Sequence, residues 1–109
     1  MQAFTIQRDD APNLTFTGTL LAGASTSPEQ AAPDYSGSVG RWTELQLYRT
    51  EGGKYICQRI HRTQWQGETD SFTAAVCDDH AGVIEFFRHG RLAFEIYEAA
   101  AIPNAEQVA

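Results

Sequence analysis

The sequence has too little of several things to belong to several classes of protein. It holds two cysteines in 109 residues, too few for the disulfide framework that staples small secreted domains. No apolar run approaches the roughly 18 residues a membrane-spanning helix needs, so no membrane association is expected. The first ten residues, Met1 to Asp10, have neither the basic nor the apolar region of a signal peptide, and the expected location is cytoplasmic. Positive charge is short. Eight Lys and Arg against fourteen Asp and Glu leave a net charge of −6, which argues against general affinity for nucleic acid. The glycines do not compose a phosphate loop, because Gly37 and Gly40 lead into Arg41 and Trp42 rather than into Lys followed by Ser or Thr. No internal repeat is visible. What remains is an ordinary apolar fraction, 42%, in a chain long enough for one core.

The stretch from Gly40 to Gln66 organises the rest. Two alternating runs flank Gly52-Gly53, a hairpin signal because glycine reaches the positive φ that tight loops demand. A two-residue loop pairs Glu51 with Lys54, Arg49 with Ile56, Leu47 with Gln58 and Leu45 with Ile60. Alternation then puts Leu45, Leu47, Ile56 and Ile60 on a core face, and Glu44, Gln46, Tyr48, Tyr55, Cys57, Arg59 and His61 on a solvent face. Residues 3–8 and 14–20 read as a second hairpin around the turn cluster Asp9 to Asn13, with Gly18 marking a bulge or a close backbone approach. A turn at Gln66-Gly67-Glu68 returns the chain into a strand over 70–77. The register predicted there pairs Ile60 with Ala74, Arg62 with Phe72 and Cys57 with Cys77, and places Phe72, Ala74 and Val76 on the core face. Asp78-Asp79 starts a helix whose apolar face is Val83, Ile84, Phe86 and Phe87, and Gly90 is its expected left-handed C-terminal residue. Residues 91–101 alternate as a strand does and also carry helical spacing; the run Ala99 to Ala101 favours helix, and Pro103 ends it. The fold class expected is α+β: an antiparallel meander sheet of about five strands with two C-terminal helices packed on one face. Residues 1–102 make the single domain, with a flexible loop at 22–38 and a frayed tail at 103–109.

Charge is unevenly placed. Residues 41–65 carry five bases against two acids, and residues 66–87 carry five acids and no base; mutual salt-bridging explains this as simply as a basic binding surface does. The two cysteines read as free thiols behaving as small apolar side chains, or else as a redox switch or half of a metal site. Zinc would need two more ligands, and His61 is about 13 Å along the strand from Cys57, so no metal and no cofactor are expected. His80 and His89 fall at helix ends, where the helix dipole accounts for them. The acidic pairs Asp9-Asp10 and Asp78-Asp79 fit a turn and a cap. No catalytic residues emerge, and the chain is not expected to be an enzyme.

Three stretches, Arg41–Tyr55, Arg62–Glu68 and Glu85–Ala93, together look like small accessory proteins of bacterial plasmids, prophages and integrative elements. The resemblance spans about half of the chain and its motifs are fold signatures. It implies no enzyme; small acidic proteins of such elements include inhibitors of host defence, anti-CRISPR proteins among them. The function expected is therefore a non-catalytic protein-binding module, an inhibitor of a host defence nucleoprotein complex. Its contact residues would be Trp42, Tyr48, Tyr55, Arg59 and His61, since Tyr, Trp and Arg dominate binding hot spots. The alternative is a single-stranded nucleic-acid-binding domain using the basic aromatic hairpin 41–65. A homodimer through the outer face or a strand edge is also open.

Overall fold

The computed structural model describes residues 2–26, 41–63 and 67–103. The greater part of the expected 22–38 loop, Trp65, Gln66 and the tail from 104 onward lie outside them. Five strands, β1 (Gln2–Ile6), β2 (Leu14–Ser25), β3 (Arg41–Thr50), β4 (Tyr55–Thr63) and β5 (Ser71–Cys77), are followed by α1 (His80–Phe87) and α2 (Arg91–Ala100). The strands form one antiparallel sheet in sequence order, the predicted meander. Both helices pack on one face, α2 over β2 and β3, α1 over β4 and β5.

The sheet is strongly curled. The Asp9 amide, just past β1, donates to the Phe72 carbonyl of β5 at 3.0 Å, and Asp9 Oδ2 accepts from the Phe72 amide at 2.8 Å. In a flat sheet four strand spacings would hold β1 and β5 roughly 19 Å apart. The face bearing Phe4 and Ile6 is therefore concave. Buried there are Ile6, Tyr48, Ile56 and Ala74, with Phe4, Leu14 and Phe16 half-buried against them. Phe4 and Phe16 stack, and Tyr48 meets both at a tilt or edge-on, with ring centroids 4.8–5.4 Å apart, a geometry that adds to the stabilisation from area alone. The convex face carries the larger core: Ala22, Leu45, Leu47, Tyr55, Cys57 and Cys77 against Val83, Phe87, Ala93, Ile96 and Tyr97.

The central hairpin departs from its expected register by one residue. Its loop has three residues, not two. The Thr50 amide bonds the Lys54 carbonyl at 2.8 Å and the Gly53 amide bonds the Thr50 carbonyl at 2.9 Å, with Gly53 at φ 87°. This is a turn followed by a left-handed residue, the usual three-residue solution. Arg49 pairs with Tyr55, Leu47 with Cys57 and Leu45 with Arg59. A one-residue slip turns every side chain of one strand over. Ile56 and Ile60 thus leave the face of Leu45 and Leu47 for the concave side, and Tyr55, Cys57, Arg59 and His61 join the helix-covered side. Glu51 does not pair with Lys54; its amide bonds the Thr17 carbonyl of β2 at 2.8 Å, and Lys54 pairs with Asp78.

Other boundaries shift for local reasons. In β4–β5, Gln58 pairs with Ala74, Ile60 with Phe72 and Cys57 with Ala75. This is two residues from the expected register, so Phe72, Ala74 and Val76 stay with Ile60 but on the concave face. β2 continues through Ala22–Ser25, residues expected in the loop, pairing with Glu44–Leu47 past an irregularity between Leu20 and Ala22. Asp79 caps α1 as predicted, its Oδ1 accepting from the Gly82 amide at 2.9 Å. Gly90 is not left-handed; at φ −89° it is the N-cap of α2. Arg88, at φ 64°, makes the turn between helices, and its carbonyl accepts from the Tyr97 hydroxyl at 2.5 Å. Ala101, at φ 57°, ends α2, and the Ile102 amide reaches back to the Tyr97 carbonyl at 2.8 Å, a Schellman closure with Ile102 buried beneath it.

Candidate functional site

The helices do not cover the whole convex face. From the hairpin turn outward, cross-strand rows on this face run Arg49–Tyr55–Cys77, Leu47–Cys57–Ala75, Leu45–Arg59–Thr73 and Thr43–His61–Ser71. The cover stops at the third row. There the Arg59 guanidinium donates to the Phe86 carbonyl at 2.7 Å and lies 4.8 Å from the Phe86 ring centroid, closing the end of α1. Beyond it opens a groove of about 630 Å³ lined by residues of β3, β4 and β5 together with Thr26 and Gly67–Thr69.

The groove is polar by construction. Hydroxyls come from Thr26, Thr43, Thr63, Thr69 and Ser71. Thr26 and Thr43 lock the β2 end to β3: the Thr26 amide donates to the Thr43 carbonyl at 2.9 Å and the Thr43 amide donates to Thr26 Oγ1 at 3.0 Å. His61 Nδ1 shares a hydrogen bond with Thr43 Oγ1 at 3.0 Å, and Ser71 is its neighbour in the row. Arg41 makes a two-pronged pair with Glu68 at 3.2 and 2.5 Å. That bond raises the Arg41 pKa; the same guanidinium, then the Thr63 hydroxyl at 2.6 Å, hold the Glu68 carboxyl below its usual value. At the rim Glu44 accepts from Trp42 Nε1 at 3.0 Å and from Arg62, while Arg62 also reaches Asp70 at 3.1 Å. The Arg62 pKa is raised chiefly by Glu44. The cations are thus neutralised in place, and the groove is lined by hydroxyls and an imidazole, several of them already bonded to one another. Such a set suits hydrogen bonding to a neutral polar partner. No cluster of three or more His, Cys, Asp or Glu able to hold a metal occurs among the described residues.

The five sequence-predicted contact residues do not share one surface. Trp42 and His61 both line the groove, but from opposite faces of the sheet, since Trp42 pairs with Arg62 and His61 with Thr43. Tyr48 is buried in the concave core against Phe4 and Phe16, its hydroxyl donating to Gln46. Tyr55 is buried under α1, with His80 Nε2 at 2.9 Å from its hydroxyl and Arg49 over its ring. Arg59 closes α1. Sequence reasoning missed Thr26, Arg41, Thr43, Glu68 and Ser71 as groove residues. They carry no motif, and only the three-residue loop register, which places Thr43 opposite His61, would have assembled most of them.

Set against known proteins, the chain matches no family model, no curated protein and no solved structure.

Proposed function

We propose that the protein is a non-catalytic protein-binding module whose contact surface is the open end of the convex face, the groove around Thr43, His61 and Ser71. In the form suggested by the mobile-element resemblance, it inhibits a host defence nucleoprotein complex. One observation carries the choice of protein over nucleic acid. Three of the five bases between residues 41 and 65 are committed to carboxylates from the acidic segment: Arg41 to Glu68, Lys54 to Asp78 and Arg62 to Asp70. A fourth, Arg59, is committed to α1. A surface whose guanidinium groups already hold carboxylates must break those pairs before it can neutralise phosphates. Its hydroxyls and its imidazole remain suited to peptide groups and polar side chains.

The test is capture from bacterial lysate with tagged wild-type chain and with the groove-blocking variant Thr43→Arg/Ser71→Arg, each with and without nuclease, read by mass spectrometry. The expected result is a stoichiometric protein that survives nuclease and is lost with the variant, while circular dichroism of the variant stays native. Recovery of nucleic acid, with all partners lost on digestion, overturns the reading in favour of single-strand binding. A partner retained by the folded variant moves the contact surface away from the groove.

A further inference from the structure

Cys57 and Cys77 are free thiols on adjacent antiparallel strands. The register sets Cys57 opposite Ala75 and Tyr55 opposite Cys77, so the two are diagonal neighbours on the convex face, and their sulfurs lie 3.6 Å apart. A disulfide needs about 2.05 Å, which leaves a closure of roughly 1.5 Å; diagonal strand neighbours lie about 7–8 Å apart, so closing it draws β4 and β5 slightly together as well as rotating both side chains. We propose that the pair is a dithiol site that a low-molecular-weight disulfide, of the glutathione type, converts to an intramolecular disulfide.

The two sulfurs are not equivalent. Cys57 is fully buried and Cys77 is 8% exposed, so Cys77 is the point of entry. The two sulfurs share a hydrogen bond, while burial, and then the carboxylates of Asp78, Asp79 and Glu85, hold the Cys77 pKa up. Burial also pushes the Cys57 thiol up, above its usual range. The cover over Cys77 is thin. α1 crosses it at Gly82, where a Cβ would stand 3.1 Å from Cys77 Cβ and 3.5 Å from its sulfur. Exposing Cys77 therefore requires displacement of part of an eight-residue helix rather than separation of the sheet.

The chemistry balances in two exchanges. The Cys77 thiolate attacks one sulfur of the small disulfide, forms a mixed disulfide and expels one thiolate. Cys57, on losing its proton, attacks the Cys77 sulfur and expels the second. The protein loses two protons and two electrons, and the small disulfide becomes two thiols. Because the entering sulfur is covered and held protonated, exchange is slower than at an exposed cysteine but proceeds by local displacement of α1 without global unfolding.

The experiment incubates the folded full chain with oxidised glutathione while circular dichroism monitors the fold. Thiols are then counted after denaturation in an alkylating agent, and intact mass is recorded. The expected result is loss of both thiols per chain, a mass lower by two hydrogens without a glutathione adduct, and full recovery with reductant. Cys57→Ser should instead stop at a stable Cys77–glutathione adduct. Both thiols remaining free in the folded chain, under exposure that oxidises the denatured chain, overturns the proposal. So does a wild-type chain that stops at the mixed disulfide, because the two sulfurs would then not reach each other.

Discussion

Gly18 and Gly23 stand on the same strand, and replacing each by Ala should move stability in opposite directions. At Gly18 an added Cβ would stand 2.2 Å from the Arg49 carbonyl oxygen, a backbone atom of the paired strand. Contacts below 3.0 Å are essentially never made by a Cβ, so β2 and β3 must part by most of an ångström. That loosens the Gly18–Thr50 pair and the bond from the Glu51 amide to the Thr17 carbonyl, which fastens the three-residue loop to β2. Two weakened ladder bonds at about 1 kcal/mol each, with a similar strain term from overpacking, give a loss of roughly 2–4 kcal/mol. That is a large part of the 5–15 kcal/mol or so that holds a domain together. At Gly23 the nearest atoms to a new Cβ are the Leu45 carbonyl oxygen at 3.8 Å and Gln46 Cγ at 4.0 Å, ordinary contacts. There the lower chain entropy of Ala should stabilise by about 0.5–1 kcal/mol. Urea denaturation of both variants with a shared slope settles the comparison. Equal effects, or a Gly18→Ala loss below about 0.5 kcal/mol, refute the close approach and with it the register of β2 on β3.

Arg59→Ala should destabilise by about 1–3 kcal/mol, since it removes a charged hydrogen bond to the Phe86 carbonyl and a cation–π contact; urea denaturation reads this. Partner capture below the melting temperature should persist, because Arg59 closes α1 and does not line the groove. Alkaline stability should report Tyr97. Burial, with Cys57 nearby, pushes its phenol up to about 12, whereas the unfolded chain ionises at about 10. A group whose folded pKa is raised contributes stability that is complete below the unfolded value and is lost as pH rises toward the folded one. Unfolding free energy should therefore fall between these two values, and Tyr97→Phe should flatten that limb. An unchanged limb removes Tyr97 from the explanation.

The meander, both helices and the Asp79 cap were legible because each rests on local chemistry: turn residues between alternating runs, an acidic cap before an apolar face, an alanine-rich helix end before proline. The register of the central hairpin was not. Glu51-Gly52-Gly53 satisfies a two-residue and a three-residue loop equally, and alternation normally rejects the wrong choice by exposing the apolar set. Here it could not, because both faces of the sheet are buried. Leu45 and Leu47 lie under the helices, while Ile56 and Ile60 lie on the concave side. Either register leaves the large apolar residues with somewhere to go. The end of β2 was hidden for the opposite reason. Ala22, Gly23, Ala24 and Ser25 give no large apolar alternation, yet small residues are what let α2 lie close on β2, with Ala22 in the core and Ala24 packed against it.

The groove follows from the same geometry. Had the loop held two residues, His61 would have been offset from Thr43, and no row of hydroxyls would have crossed β3, β4 and β5 at one level. The third residue of the loop both moves Tyr55 and Cys57 under α1 and brings Thr43, His61 and Ser71 into line. Charge then decides what that line can meet. Linear blocks of base and acid along a chain suggest two surfaces of opposite sign, but folding back at Gly67 superposes them. Arg41 lands on Glu68 and Arg62 on Asp70, while Lys54 meets Asp78 beyond β5. The basic hairpin is basic only as a sequence. As a surface, three of its five bases are held by carboxylates of the acidic segment, and its groove is left to the hydroxyls and to His61.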